Sequence, residues 1–419
     1  MKKLLALFLA AVMMVVCFAA CGQDGDSAKD PSKGGNQEAE KKEEVDLTMI
    51  YIVSGEMPGT EAVKAAIQAE AKKDLNVNLT VIPMGIGDCI TQPQLMVAGG
   101  EELDIFPQWA NRVASMVAEG YMLDLSQYYD YMPELINWVG MDDLKCCSVG
   151  EVIWGVPNVK EHCNPPIITM RKDIIDALGI DMSTVKTLDD LTEVFAKVQE
   201  AYPDMVIFSG SSTSGLGDDG DIGYYCDTLN DELGVLDNYG DNLTVVNEFE
   251  TENWKSLVYK AREWYEKGYI SKDMATSTDS GSALFMGGNL FAYQENGKPD
   301  TKAEKYQQYG MEVEVFWIND PMRTTMNVNG LCYSVSGLTK NPERAVELLN
   351  WMFSDPEAND LMNWGLKDVD WVESSENSKL ASFPEGKSGA DVAYHLGWGW
   401  ALPNQFAAHL WDNNDPDLY

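Results

Sequence analysis

Residues Leu47 to Ser54 read LTMIYIVS, an apolar, β-rich run of strand length. The next segment, TEAVKAAIQAEAKKDL from Thr60, spaces its apolar residues at helical intervals, and NVNLTVIPM returns to a strand pattern. The opening is therefore a βαβ unit. PQLMVAGG predicts a helix ending at Gly99, and LDIFPQWA a strand that runs out into Trp109. Such alternation argues for parallel sheets flanked by helices, where ligands sit beyond the carboxyl ends of the strands. Gln108, Trp109 and Asn111 thus fall near a possible site.

The alternation continues. VGEVIWGVPNV predicts a turn and a short strand closed by Pro157, and PPIITMRKDIIDALGI a strand running directly into a helix. KTLDDLTEVFAKVQEAYPD begins with Thr187 as N-cap and stops before Pro203, after which MVIFSG reads as a strand. NWKSLVYKAREWYEKGYI is an amphipathic helix with Gly268 as its stop. SALFMGGNLFAY, MEVEVFWIND, a strand pair around MNVNGLCYSVSG and the helix NPERAVELLNWMFSD complete the pattern, with no internal repeat.

Two stretches do not belong to this pattern. Lys2 and Lys3 precede an apolar run from Leu4 to Val16, and small residues then lead to Cys21, the order of an export signal. Phe18 to Cys21 resembles the lipobox of bacterial lipoproteins, whose cysteine is diacylated and becomes residue one; Phe18 stands where Leu is usual. Two acyl chains anchor stably where one does not. Gly22 to Asp46 has no large apolar residue before Val45, so it predicts a flexible stalk. Roughly 370 residues remain, which suit two lobes of ordinary domain size.

Charge narrows the choice of partner. The net charge of −37, or −39 once Lys2 and Lys3 leave with the signal, repels phosphate backbones and anionic surfaces, so no nucleic acid is expected. Of eight cysteines, Cys89, Cys146, Cys147, Cys163, Cys226 and Cys332 remain in the mature body without a CxxC spacing. Three disulfides or six buried thiols are both open, and the spacing favours thiols.

Catalytic and metal signatures are weak. His162, His395 and His409 stand at no metal spacing, and neither GxxxxGK[ST] nor GxSxG occurs. Gly215 to Gly220 matches GxGxxG, but Asp218 and Asp219 would oppose a pyrophosphate. The Asp219, Asp221, Gly223 spacing lacks the order of an EF-hand. No metal and no cofactor is expected.

ITMRKDIIDALGIDMSTVKTLDDLTEVFAKV resembles the segment of family 1 extracellular solute-binding proteins where the chain first crosses into its second lobe. EVIWGVPNV is similar to the Gly-x-Pro hairpin before that crossing, ALFMGGNLFAY to the crossing back, and NPERAVELLNWMFSDPEANDLMNWGL to the Asn-Pro-Glu-x-Ala helix. With GWGWALPNQFAAHLWDNNDPDLY, the chain resembles the large sugar-binding lipoproteins of Gram-positive ABC importers, the LplA-like branch. Chains there usually continue further, which implies a shortened second lobe.

The resemblance implies a type II periplasmic-binding-protein-like α/β fold of two lobes with a hinge. It divides the chain into signal peptide 1–20, stalk 21–45, first lobe 46–165, second lobe 166–295, first-lobe return 296–340 and second-lobe return 341–419. It further implies a monomer held at the outer face of the cytoplasmic membrane through the lipid on Cys21 alone, delivering an oligosaccharide to ABC permease subunits without catalysis. A secreted carbohydrate hydrolase using Asp and Glu, or a surface receptor feeding a sensor, are the alternatives.

Pyranose rings stack on indoles, and their hydroxyls need short polar partners. Among twelve tryptophans, Trp254, Trp264 and Trp351 lie on helical apolar stripes and read as core. Trp109, Trp154, Trp317, Trp398 and Trp400 lie in loop-like places and are the candidate platforms, with Asn111, Gln294, Asn404 and Gln405 as hydroxyl partners. The expected ligand is neutral or weakly charged, and Arg112, Arg171 or Arg323 could supply a local basic contact.

Overall fold

The computed structural model describes residues 42–417 apart from 56, 111–112, 164, 210–225, 230–233, 241, 273, 275–280 and 413. Cys21, Asn111, Arg112 and the loop carrying Gly215 to Gly220 and Asp221 lie outside the described residues. The chain lays down β1 (Val45–Val53), β2 (Val77–Gly85), β3 (Ile105–Gln108) and β4 (Val156–Pro157). It then crosses to β5 (Pro166–Arg171), β6 (Val206–Ser209), β7 (Leu290–Asn296) and β8 (Val313–Trp317), and returns with β9 (Cys332–Val335).

The first sheet has the order β2-β1-β3-β9-β4. β1 runs parallel to β2 and β3, whereas β9 is antiparallel to both β3 and β4. Both faces of β1 are covered: Met49 and Tyr51 share a core with helix α1 (Thr60–Leu75), and Ile50 and Ile52 pack on the opposite side with Phe106 and Cys332. Double coverage explains why β1 reads as a continuous apolar run. Val63, Ile67 and Ala71 form the buried stripe of α1. Gly59, just before it, is required to be small, because a Cβ would come within 2.9 Å of the Ala393 backbone.

The second sheet has the order β8-β5-β7-β6. Ile168 and Met170 of β5 meet helices α2 (Leu188–Ala201) and α3 (Glu252–Glu266) in a core centred on Phe195, Phe208 and Trp264. Thr187 is the N-cap of α2, as expected, and Asp190 completes a capping box with it. The Trp264 indole donates to Thr192 Oγ1 at 2.8 Å, so its one polar atom is satisfied inside the core. The opposite face carries Phe285, Leu290, Tyr293 and Val313, beside helix α4 (Thr301–Tyr309). A small antiparallel sheet joins Cys226–Asp227, Gly234–Asp237 and Val245–Asn247.

The return segments sort differently from the sequence expectation. β8 pairs with β5 over Val313 to Trp317, so this part of 296–340 belongs to the second sheet. Helix α5 (Pro342–Ser354) buries Val346, Leu349 and Met352 in the core of the first sheet, so 341–419 does not return to the second lobe as a block. The expected strand pair around MNVNGLCYSVSG is a short helix, Thr325–Asn329, followed by the single strand β9. Thr324 and Asn327 make a capping box that turns the first half helical.

Cys147 and Cys332 place their Sγ atoms 3.3 Å apart in the first lobe as buried thiols. No helix among the described residues is long and apolar enough to cross a membrane.

Candidate functional site

Both sheets end on one cleft of about 280 Å³. From the first lobe, Trp109 follows the carboxyl end of β3, and Gly330 and Leu331 precede β9. From the second, Asn296 ends β7, and Asn319 and Asp320 follow β8. Pro165 and Pro166 on the crossing chain complete the floor, with Lys160 and Trp400 beside them. The place is the one expected of α/β sheets, outside the strand ends.

The lining combines aromatic surface with short polar groups. Trp109 and Trp400 are half-buried and present apolar faces. The Trp398 ring stacks on Trp400 at 5.8 Å between centroids with 26° between planes, and so supports it from outside the cleft. Asn319 donates from Nδ2 to the Tyr239 hydroxyl, which holds two lining residues together. The Thr228 hydroxyl meets Met326 Sδ at 3.0 Å, and the Asp227 carboxylate accepts the Thr325 N–H at 2.9 Å. These two contacts bring the small sheet of the second lobe against the short helix Thr325–Asn329. That helix is tied to the first lobe by Asn329 Nδ2, which donates to Cys146 O at 2.8 Å.

The segment after Trp398 lies against the crossing chain. Val159 N donates to Pro403 O at 2.8 Å and Gln405 N donates to Val159 O at 3.0 Å, while Asn158 Nδ2 donates to Trp400 O. The Trp400 carbonyl is therefore held by the Asn158 side chain, and backbone bonds fix the residues after it against Val159.

Of the residues expected to touch ligand, Trp109 and Trp400 reach the cleft. Trp154 does not: it is 2% exposed and packs in the first-lobe core with Phe106 and Cys147. Trp317 ends β8 but lies against Gly297, outside the lining. Asn404 is buried, with Nδ2 donating to Phe353 O at 2.8 Å, and the Gln405 amide donates to the Glu161 carboxylate. Gln294 is buried two residues before Asn296, and neither its oxygen nor its nitrogen has a hydrogen-bond partner.

The basic residues named from the sequence also go elsewhere. Arg171 pairs with Asp173 at 2.6 Å and Arg323 with Asp143. Among the described residues the cation lining the cleft is Lys160, which sequence reasoning missed. Burial lowers its pKa, an effect that Glu161 opposes. Asn296 and Asn319 were also missed, although each follows an apolar strand run, which is the signal that could have found them.

Two α/β lobes with a polar, aromatic cleft at the strand ends define a binding protein that holds its ligand between domains. The bacterial extracellular solute-binding protein family matches residues 65–369, and the chain belongs to it. A carbohydrate ABC transporter substrate-binding protein of Streptococcus pneumoniae is 21% identical over 415 residues, covering 98% of this chain and 80% of the relative. The crystal structure of the N-glycan transport solute binding protein NgtS from the same species superposes with a TM-score of 0.77 at 21% identity, covering 90% of this chain and 81% of that one. Its complex with Man1GlcNAc gives 0.73 at the same identity and coverage. Maltose-bound T. maritima MalE3 gives 0.53 at 16% identity, covering 77% of this chain and 80% of that one.

Proposed function

We propose that this protein is an extracellular lipoprotein that captures an oligosaccharide between its lobes and hands it to an ABC importer without altering it. The observation that carries the reading is the cleft itself, where Trp109 and Trp400 offer ring-stacking surface among amides and hydroxyls such as Asn296, Asn319 and Thr228. Sugars need that combination, because their C–H faces are apolar and their rims are dense in hydroxyls. The names of the Streptococcus pneumoniae relative and of NgtS support a glycan ligand and a transport partner.

Cys21 carries the lipid in this reading, on the strength of the Phe18 to Cys21 pattern and the polar stalk behind it. The permease takes ligand from a monomer tethered at the membrane surface, and the lobes close as the ligand binds.

A glycan array on the purified protein, followed by calorimetry, tests the ligand class. Expected is saturable binding of one saccharide series, recovered uncut after long incubation, with a smaller radius of gyration by small-angle scattering. Release of shorter products would move the protein to the hydrolases. Intact mass of the native protein should show a diacylglyceryl increment on a chain starting at Cys21; an unmodified terminus would remove the anchor.

A further inference from the structure

Lys160 stands directly after Val159, the residue clamped by Pro403 O and Gln405 N, so its backbone is fixed at the cleft wall between Trp109 and Trp400. Its ammonium group has no carboxylate within ion-pair distance and no hydrogen-bond partner among the described residues. Other lysines withdrawn from solvent are not left so. Lys260 pairs with Asp189 and Glu263, Lys298 with Asp300 and Glu304, and Lys305 with Glu295 and Glu304. The less buried Lys64, Lys72 and Lys172 also hold carboxylates.

A shortage of anions does not explain the exception, since the chain has 67 acidic residues against 30 basic ones. The nearest acidic neighbour in sequence, Glu161, accepts a hydrogen bond from the Gln405 amide. Burial lowers the Lys160 pKa, because desolvation disfavours the ammonium form. Asn296, Asn319 and Thr228 stand in the same lining and are neutral. What an ammonium adds is net charge.

We infer that Lys160 receives a single carboxylate on the saccharide, so that the ligand is a weakly acidic oligosaccharide; this rests on the oligosaccharide reading above. The protein's negative field disfavours polyanions at long range, but at physiological salt it is screened beyond about 8 Å, which leaves a local pair intact. One carboxylate suits one unpaired lysine.

The test uses an array holding neutral saccharides beside the same saccharides extended by one uronic or sialic acid, with calorimetry on the best-bound pair. The acidic member should bind about tenfold or more tightly, in line with a charge-assisted hydrogen bond. Its affinity should fall as salt rises while that of the neutral member holds. Lys160→Met should erase the preference for the acidic member, and Lys160→Arg should retain it. Equal affinity for both members overturns the inference without touching the oligosaccharide reading. So does an equal loss for both members in Lys160→Met, which would make Lys160 a hydroxyl donor. Failure to bind any saccharide overturns the oligosaccharide reading, and this inference with it.

Discussion

Beside α5 of the first lobe, buried amides are held by neutral hydrogen bonds, whereas beside β7 of the second a buried lysine is held by ions. In the first, Asn359 on the helix Pro356–Trp364 donates to Met352 O and Asn404 to Phe353 O, amides that tie the following segments to α5. In the second, Lys305 is 7% exposed and sits 2.6 Å from Glu295, with Glu304 bridging it to Lys298. Burial alone would lower the Lys305 pKa, but Glu295 and Glu304 outweigh it and raise the value; burial would raise that of Glu304, and Lys298 and Lys305 hold it down. The two groups of contacts hold different parts of the molecule by different forces. The neutral contacts are insensitive to charge balance; the ionic network is not.

The comparison breaks most visibly on substitution in the cores. Lys305→Met should cost about 3–5 kcal/mol in urea unfolding, because it leaves Glu295 and Glu304 short of a partner in a low-dielectric site. Trp264→Ala should cost a similar ~3–5 kcal/mol through a cavity in the second lobe, and Trp154→Ala as much in the first. A loss below about 1 kcal/mol in Lys305→Met would mean that water already screens the network.

Next in size is the cleft. Trp400→Ala should weaken calorimetric binding about tenfold, from lost stacking and lost burial, and leave the melting temperature of the free protein nearly unchanged. Trp154→Ala should show the reverse. If Trp154→Ala lowers affinity and not stability, the assignment of these two indoles must be exchanged.

The smallest effect concerns pH. Burial lowers the His395 pKa from 6.5 to about 4, so below pH 6.5 the unfolded chain takes up a proton that the folded one refuses. Stability contributed by keeping His395 neutral is therefore lost as pH falls from 6.5 toward 4, by under about 0.7 kcal/mol over the first half unit. His409 acts in the opposite sense, because hydrogen bonding to Asp360 raises its pKa and stabilises the fold below the unfolded value. Melting curves of His395→Phe should thus gain on wild type as pH drops from 6.5; parallel curves would remove His395 as the cause.

Much of the fold was readable because it rests on local patterns. The continuous apolar β1, the Thr187 cap and the stripe of α1 each follow from neighbours within a few turns. The cleft was less readable. Lys160 comes from a crossing segment with no periodicity, Asn296 and Asn319 stand at or just after strand ends, and they meet only once it is known which sheet each return joins. Trp154 sits in a loop by sequence, yet its backbone N–H donates to Cys147 O at 3.0 Å and its indole packs into the core. Asn404 and Gln405 looked like hydroxyl partners because they are polar and near tryptophan. Phe353 O and Glu161 already occupy them.

The position of β9 bears on how the molecule comes to exist. The four strands of the second sheet lie within residues 166–317, whereas the first sheet is completed by Cys332–Val335, inserted between β3 and β4. A chain emerging amino end first at the cell surface therefore displays the edge of β3 unpaired while roughly two hundred further residues follow, the regime in which open strand edges recruit other chains. The lobe that appears first finishes last. Pulsed hydrogen exchange during refolding should find β7 amides protected before those of β3, and the simultaneous protection of both would mean that the lobes assemble as one unit.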